Sequence, residues 1–218
     1  MKLDVSDGKW GEIILECCES LGVAAKEEHL AIFRIHAALL LEWAGKMNLT
    51  AATDPEQIAK RHFADSLALL PHLPKKAKTL VDIGSGAGFP GLPVKVVRPD
   101  LIVTLVDSAR KKVSFQKAAI RAAGLSGIEA IEDRAENLAK SGRKFDVVCA
   151  RAVSELSLLW GLAEPLLSQG GVLLALKGKN ARAEADALCN KTGFRCVLFP
   201  YVLPGTNVLR HVVMVEGD

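Results

Sequence analysis

The segment from Val81 to Gly91 constrains the fold more than any other part of the sequence, and it reads Val-Asp-Ile-Gly-Ser-Gly-Ala-Gly-Phe-Pro-Gly. It completes a β-branched run at residues 79–83 and leads into a stretch with helical spacing at residues 91–97. Glycines at such a junction let the backbone turn sharply and approach a ligand without interference from a Cβ atom. The segment therefore predicts a strand, a ligand-binding loop and a helix, in that order.

Short apolar runs continue to alternate with helical stretches after this segment. The predicted strands cover residues 79–83, 102–106, 128–131, 145–149 and 172–176. This alternation indicates a parallel sheet with helices on both faces. Two further apolar runs, 194–202 and 208–215, are joined by Pro204-Gly205-Thr206-Asn207, which is typical of a hairpin and requires an antiparallel strand. That order resembles a class I methyltransferase domain more closely than a dehydrogenase domain.

The first part of the chain has a different pattern, because its apolar side chains recur at helical spacing. Asp54-Pro55 is typical of an N-cap followed by proline at the first helical position, so we expect a helix to begin there. Pro71, Pro74 and three nearby lysines then mark a connector. We predict an N-terminal helical extension over residues 1–74 and one compact α/β domain over residues 75–218.

Composition bears on location and on metal binding. The chain of 218 residues has a net charge of only +3, so the position of its charges has to identify an anionic partner. The N-terminus lacks the apolar core of a signal peptide, and no apolar run approaches the roughly 18 residues of a membrane span. We therefore expect a cytoplasmic protein without a membrane partner. The five cysteines form no Cys-x-x-Cys pair and have no histidine at zinc spacing, so no metal site is predicted.

Two acidic residues decide which cofactor suits the glycine loop. Gly86, Gly88 and Gly91 also fit the Gly-x-Gly-x-x-Gly pattern of dinucleotide-binding proteins. Asp82 at the strand end would repel a pyrophosphate, but it can accept hydrogen bonds from the methionyl ammonium group of S-adenosylmethionine. Asp107 ends the next predicted strand, at the spacing expected of an acceptor for ribose hydroxyls. S-adenosylmethionine is therefore the predicted cofactor.

The exit of the fourth predicted strand bears on the atom that is methylated. Ligands bind outside the carboxyl ends of the strands in doubly wound sheets, so Arg151 is expected at the site. Ala150-Arg151-Ala152 stands where enzymes that methylate adenine or cytosine amino groups carry a proline-rich run. Cys149 lacks the preceding proline of a typical cysteine nucleophile and is read as a core residue. A ring nitrogen such as guanine N7 needs neither device, because its lone pair attacks the sulfonium methyl directly.

Several motifs resemble a known family when they are taken in order. They are Lys-Met-Asn-Leu-Thr at 46–50, Arg-His-Phe-Ala-Asp-Ser-Leu at 61–67, the glycine segment, Asp107-Ser108, Phe145-Asp146, Arg151-Ala152-Val153 and Leu176-Lys177-Gly178. This order resembles the RsmG (GidB) family of 16S ribosomal RNA guanine-N7 methyltransferases over most of the chain. Two departures are Ala44-Gly45, where the family often has asparagine after tryptophan, and Ala150, where it often has serine.

The resemblance implies a class I S-adenosylmethionine-dependent methyltransferase fold, with the cofactor contacting Gly84, Phe89, Asp107, Ala135, Glu136 and Arg151. The loop and strand ends themselves add Asp82, Gly86, Gly88, Ser108 and Ala109 to the predicted cofactor site. Arg151 is the predicted catalytic residue. The predicted RNA contacts are Lys46, Asn48, Arg61, His62, Arg110, Lys177 and Arg210.

The resemblance implies 16S ribosomal RNA in the small subunit as the partner, and we expect a monomeric enzyme. The charged positions agree with an RNA partner, because the fold would gather them on one face. Some of them have simpler explanations taken alone: Arg110 could begin a solvated helix, and His62 could be a core or capping histidine. A small-molecule or other RNA methyltransferase on the same fold is an alternative, with the helical extension as a lid. A non-catalytic RNA- or nucleotide-binding module is another, although retention of Asp82, Asp107 and Arg151 speaks against it.

Overall fold

A computed structural model of the chain describes residues 3–45, 54–203 and 205–217. The helices ahead of the sheet are α1 (Gly8–Ser20), α2 (Glu27–Ala44), α3 (Pro55–Ile58) and α4 (Asp65–Leu67), with a π-helical segment at Ala59–Ala64 and a 3-10 turn at Leu70–His72. The expected start of α3 is confirmed, because Asp54 Oδ2 accepts a hydrogen bond from the Gln57 amide at 3.0 Å. A side chain thus satisfies one of the amides that have no helical partner at this end.

Seven strands form one sheet within the described residues, in the order β3-β2-β1-β4-β5-β7-β6. They are β1 (Thr79–Ile83), β2 (Ile102–Asp107), β3 (Ile128–Glu132), β4 (Phe145–Arg151), β5 (Leu167–Lys177), β6 (Cys196–Val202) and β7 (Leu209–Glu216). Strands β1 to β5 pair in parallel, whereas β7 runs antiparallel to both β5 and β6. The predicted fold class is confirmed, including its antiparallel hairpin.

Helices connect the parallel strands. They are α5 (Gly91–Val97), α6 (Arg110–Ala122), α7 (Ala135–Lys140), α8 (Leu156–Ala163) and α9 (Ala181–Thr192), with a 3-10 turn at Glu164–Leu166. The chain moves outward from β1 to β2 and β3, and then returns to place β4 on the other side of β1. Ligands of doubly wound sheets bind at the carboxyl ends of the strands where the order reverses in this way. The candidate site is therefore expected between β1 and β4.

Strand β5 begins at Leu167, five positions ahead of the predicted start at residue 172. The pairing with β4 shifts register between Phe145 and Val147, so the strand continues through an irregularity that an apolar pattern does not reveal. Gly171 lies in this stretch, where an added Cβ atom would come within 3.0 Å of the Phe145 carbonyl oxygen. The predicted start of this strand was wrong because the pattern marks buried side chains and not backbone pairing.

The helical extension and the α/β domain share a hydrophobic core. Trp10, Phe33 and Phe63 from the extension belong to the same buried cluster as Phe89 and Phe115 from the domain. The Phe63 ring meets Trp10 edge to face at a centroid distance of 5.5 Å, and it meets Phe89 at 5.2 Å. The hydrophobic core is therefore continuous across the division at residue 74. The organisation of the chain into two parts stays a prediction. None of the described helices is both long and apolar enough to cross a membrane.

Candidate functional site

The glycine loop between β1 and α5 depends on glycine for both conformation and space. Gly84 has a φ of 65°, in the left-handed region, and an added Cβ atom would lie 2.8 Å from Val153 Cγ2. At Gly91, an added Cβ atom would lie 2.4 Å from Leu105 Cδ2 and 3.0 Å from Asp82 Oδ2. Larger residues at these positions would push the loop away from the segment after β4, or α5 away from the sheet. The loop thus packs against the segment that follows β4, and the start of α5 packs against β1 and β2.

Asp82 lies beneath this loop and is fully buried at the carboxyl end of β1. Its Oδ2 accepts a hydrogen bond from the Gly91 amide at 2.8 Å, while its Oδ1 has no hydrogen-bond partner among the described residues. Burial raises the pKa of Asp82 to about 7, although the Gly91 hydrogen bond and the positive charge of Arg151 oppose this shift. An ammonium donor, direct or through water, would satisfy the unpaired oxygen and favour the ionised carboxylate. This site fits a cationic amine.

Asp107 ties the loop after β1 to the loop after β2. Its Oδ2 accepts a hydrogen bond from the Gly86 amide at 3.0 Å, and its Oδ1 accepts one from the Ala109 amide at 2.9 Å. The buried Gln116 adds a second restraint, because its Nε2 donates to the Gly86 carbonyl oxygen at 2.7 Å and to Ser85 Oγ at 2.8 Å. Oδ2 also accepts a long hydrogen bond from Lys112 Nζ at 3.5 Å, so Oδ1 is the oxygen that keeps a second lone pair for a ribose hydroxyl.

Three cavities meet at the carboxyl edge of the sheet. The β2–β3 cavity, of about 380 Å³, is lined by residues that include Gly84, Asp107, Ser108, Ala135 and Glu136. The loop cavity, also about 380 Å³, is lined by residues that include Arg61, His62, Gly84, Gly86, Phe89 and Arg151. The β4–β5 cavity, of about 690 Å³, is lined by residues that include Val153, Leu176, Lys177, Asn180, Glu184 and Arg210. The loop cavity shares lining residues with each of the other two, and the three together form a groove.

Ala152 lines all three cavities. Its φ of 54° lies in the left-handed region, and it is the one non-glycine residue with a positive φ in the part of the chain that the structure describes. Such a conformation costs roughly 1–3 kcal/mol for a residue with a side chain and is concentrated at functional sites. This strained turn directly after β4 thus lies where the three cavities meet.

Arg151 reaches from the end of β4 into the helical extension. One terminal nitrogen donates to the Arg61 carbonyl oxygen at 2.7 Å, and the other lies 3.0 Å from His62 Nδ1. Its guanidinium carbon also lies 5.2 Å from the centre of the Phe89 ring, at cation–π distance. Arg151 therefore joins β4, the glycine loop and the π-helical segment at the loop cavity.

A carboxylate that the sequence analysis did not single out organises these cations. Asp65 is only 1% exposed, and its Oδ1 accepts from Arg210 Nε at 2.7 Å and from the Tyr201 hydroxyl at 2.6 Å. Its Oδ2 lies 3.6 Å from a terminal nitrogen of Arg151. Burial, followed by the Asp65 charge, raises the pKa of Tyr201, so this hydroxyl remains a donor. An aspartate within the apolar Phe-Ala-Asp-Ser-Leu run was the available signal.

Phe89 is held between two histidine rings. Its ring stacks on His36 at a centroid distance of 4.6 Å and on His62 at 4.9 Å. His36 Nε2 also lies 2.8 Å from the Ala87 carbonyl oxygen, which links α2 to the glycine loop. Burial lowers the pKa of His36 to about 4, and burial followed by the Arg151 charge lowers that of His62 to about 3. Both rings are therefore neutral at pH 7, so a positive charge does not support His62 as an RNA contact, and that contact stays a prediction.

The other predicted RNA contacts fall into different environments. Lys46 and Asn48 lie outside the described residues. Arg61 and Arg110 are both exposed, and Arg61 lines the loop cavity. Arg210 lines both the loop cavity and the β4–β5 cavity. Lys177 does not lie on an open surface, because its buried ammonium group donates to Glu184 Oε2 at 2.7 Å and to the Ser154 carbonyl oxygen. These internal partners do not support Lys177 as an RNA contact, which stays a prediction.

The predicted cofactor residues lie close together, although they do not all face a cavity. Gly84, Gly86, Phe89, Asp107, Ser108, Ala135, Glu136 and Arg151 line the β2–β3 cavity or the loop cavity. Asp82, Gly88 and Ala109 are not among the lining residues. Lys112, which was not predicted, lines both cavities and lies 3.5 Å from Asp107 Oδ2. No cluster of three or more potential metal ligands occurs in the described ranges.

The sheet order, the antiparallel β7, and the two carboxylates at the ends of β1 and β2 are those of a class I S-adenosylmethionine-dependent methyltransferase. The fold is similar to that of a ribosomal protein L11 methylase from Lactobacillus delbrueckii subsp. bulgaricus, with a TM-score of 0.57 and 13% identity over 72% of this chain and 79% of that one.

A sequence model of the family described as GidB, rRNA small subunit methyltransferase G, matches residues 29–202. Proteins named ribosomal RNA small subunit methyltransferase G are 36% identical in Caldanaerobacter subterraneus subsp. tengcongensis, over 94% of this chain and 89% of that protein. In Geobacter sp. the identity is 39%, over 94% and 96%. The chain therefore belongs to this methyltransferase family, and the resemblance in its motifs is confirmed.

Proposed function

We propose that this enzyme transfers the methyl group of S-adenosylmethionine to N7 of one guanine in the 16S ribosomal RNA of the small subunit. The observation that carries the proposal is the groove of three cavities that meet at Ala152, with Asp107 lining the β2–β3 cavity and Arg151 lining the loop cavity. The relatives are named as small-subunit ribosomal RNA methyltransferases, and this supports the RNA substrate. The choice of guanine N7 as the acceptor atom rests on the family resemblance and on groups in the site that suit an acceptor without a proton to lose.

The residues present fit two parts of the cofactor, the adenosine and the methionyl group. Asp107, at the mouth of the β2–β3 cavity, would accept from the ribose hydroxyls, and Ala135 and Glu136 would flank the adenine. Asp82, beneath the loop, would accept from the methionyl ammonium through its unpaired Oδ1. When bound, the cofactor supplies an electrophilic methyl group on a positively charged sulfur. The loop cavity and the β2–β3 cavity share Gly84, so one extended ligand could occupy both.

The groups around the loop cavity suit an acceptor that needs no deprotonation. His62 Nδ1 is engaged with Arg151, and Cys149 is fully buried in β4. Burial raises the pKa of the Cys149 thiol well above its usual value, so it is not an available nucleophile. Guanine N7 attacks with its own lone pair, and the positive charge moves from sulfur to the base without a proton transfer. The nearby carboxylates of Asp65 and Asp82 favour the charged form of Arg151.

Three attributes complete the proposal. The enzyme would act in the cytoplasm, as a monomer, on RNA that enters over the exposed side chains of Arg61 and Arg110. Arg210, which lines the loop cavity and the β4–β5 cavity, belongs to the same proposed RNA-binding face. Lys46 and Asn48, which lie outside the described residues, remain proposed RNA contacts. A salt-sensitive affinity for RNA is expected if these cations displace counterions from phosphates.

Chemical mapping of the RNA tests the function. N7-methylguanine carries a fixed positive charge, so borohydride reduction followed by aniline cleaves the RNA chain at that nucleotide. Small-subunit RNA from cells that contain the enzyme should show one cleavage that is missing from cells without it, and a plasmid copy should restore it. Methyl transfer to an adenine amine, to a cytosine or to a free metabolite would contradict the guanine-N7 proposal and leave the fold unaffected.

Substitution of Asp107 tests the cofactor site. Asp107→Ala should weaken S-adenosylmethionine binding by about 1–3 kcal/mol, because the ribose loses an acceptor and the Gly86 and Ala109 amides lose their partner. Isothermal calorimetry measures the difference. Asp100→Ala provides a control, since Asp100 is an exposed aspartate whose partner is Arg98 and not the loop. Equal affinities for wild type and Asp107→Ala would remove Asp107 from the cofactor site.

A further inference from the structure

The β4–β5 cavity is the part of the groove to which the proposed cofactor contacts assign no ligand. At about 690 Å³ it is large enough for a purine nucleotide, and it is joined to the loop cavity through Ala152 and Arg210. Val153 and Leu176 provide apolar wall, whereas Glu184 and Arg210 provide groups of opposite charge. Such a combination suits the flat faces and the polar edges of a nucleobase.

Glu184 is the most firmly positioned acid in this cavity. Its Oε2 accepts hydrogen bonds from the Leu156 amide at 2.8 Å and from Lys177 Nζ at 2.7 Å. Lys177 is itself fixed by the Ser154 carbonyl oxygen, so α8, β5 and the loop after β4 all restrain this carboxylate. No hydrogen bond from a residue of the described chain reaches Glu184 Oε1. The remaining oxygen can therefore accept from a ligand without disturbing the ion pair.

The edges of guanine match this arrangement. Guanine presents donors at N1–H and at the N2 amino group, and acceptors at O6 and N7. A carboxylate oxygen that accepts from N1–H and N2 places the five-membered ring, which carries N7, on the opposite side of the base. Arg210 lines both cavities and is held through its Nε by Asp65, and its terminal nitrogens are donors suited to O6 between the two edges.

We propose that the β4–β5 cavity receives the target guanine and that Glu184 selects it by accepting hydrogen bonds from N1–H and the N2 amino group. N7 then faces the turn at Ala152, where the loop cavity begins. Adenine presents an acceptor at N1, which would meet the carboxylate as lone pair against lone pair, so Glu184 excludes it. This inference rests on the proposed function and adds to it the residue that distinguishes guanine.

The test compares guanine with inosine, which lacks only the N2 amino group. The substrates are 16S ribosomal RNAs assembled into small subunits, with guanine or inosine at the mapped position. The enzymes are the wild type, Glu184→Gln, and Asp186→Asn as a control that makes the same charge change on an exposed residue of α9. Single-turnover rates give a guanine-to-inosine ratio for each enzyme, and this ratio does not depend on the fraction of folded protein.

The wild type and Asp186→Asn should prefer guanine over inosine by about 10-fold or more, which is the effect of one hydrogen bond to a charged group. In Glu184→Gln the ratio should fall to about one or two, and kcat/KM on guanine should fall by about 10- to 100-fold. The affinity of Glu184→Gln for S-adenosylmethionine, measured by calorimetry, should stay within about twofold of the wild type, because Glu184 lines the β4–β5 cavity and not the proposed cofactor site.

Each result decides between the proposals. A wild type that methylates guanine and inosine equally, or a Glu184→Gln enzyme that keeps the wild-type ratio while N7-methylguanine is still formed, overturns the role of Glu184 and leaves the proposed function intact. A wild type that forms no N7-methylguanine in the small subunit overturns both. If Glu184→Gln does not fold, the wild-type ratio alone still contradicts the inference when it is near one.

Discussion

Arg151→Ala is expected to lower the single-turnover rate of methyl transfer by about 100-fold, the usual cost of removing one preorganised polar group from a catalytic site. The guanidinium lies at the loop cavity, bonded to the Arg61 carbonyl and His62 and placed over Phe89. Thermal stability should change much less. Asp65 would keep Arg210 and Tyr201 as partners, so no buried carboxylate would be left unpaired. Rapid-quench kinetics with excess enzyme measure the rate.

Two further variants test whether the effect depends on the position of Arg151 and on its guanidinium group. Arg143→Ala removes a partly exposed arginine that pairs with Glu129 at the other end of β4, and it should leave the rate unchanged. Arg151→Lys keeps the charge but not the two-pronged donor geometry, and it should recover only part of the activity. Wild-type turnover by Arg151→Ala would make this residue a structural link and not a catalytic one.

Phe63→Ala should lower the free energy of unfolding by about 3–5 kcal/mol, because a fully buried ring is replaced by a cavity. This ring contacts Trp10, Phe33 and Phe89, so it joins the helical extension to the α/β domain. Urea denaturation followed by fluorescence and by circular dichroism measures the change. Because the core is continuous, both probes should report one coincident transition in the wild type and in the variant.

Phe199→Ala is the control for this prediction. Phe199 is a partly buried residue of β6 that stacks on His72 at 3.9 Å, outside the shared aromatic cluster, and its loss should cost clearly less. Two separate unfolding transitions in urea, of which Phe63→Ala shifts only the one at the lower urea concentration, would contradict a shared core. The extension over residues 1–74 and the domain over residues 75–218 would then fold independently.

Features that depend on neighbours in sequence could be predicted closely. Strand β1 and helix α5 begin and end where the pattern placed them, because a β-branched run, a glycine loop and an apolar helix follow each other directly. The same holds for the cap at Asp54. Asp82 and Asp107 were predicted to share one edge of the sheet, since each ends a parallel strand, and β1 and β2 are neighbours.

Features that depend on distant partners could not. Asp65 and Tyr201 are 136 positions apart in the chain, so no local pattern marks their hydrogen bond. Lys177 looked like a surface cation because its partner Glu184 and the Ser154 carbonyl become neighbours only when α9 packs beside β5. His62 was left open between core and surface, and its stacking on Phe89 depends on a π-helical segment that the sequence pattern did not indicate.

The hydrogen bonds that hold Gly86 have a consequence for product release. Asp107 and Gln116 fix the loop through protein groups alone, so its shape is established on folding and does not have to be ordered by each incoming ligand. A preformed loop cannot distinguish the methyl donor from the demethylated product by closing on one of them. Discrimination between them then comes from local charge, because the product lacks the positive charge of the sulfonium. With the product bound, the nearby carboxylates of Asp82 and Asp65 have one positive charge fewer to attract, so the product is held less tightly than the donor.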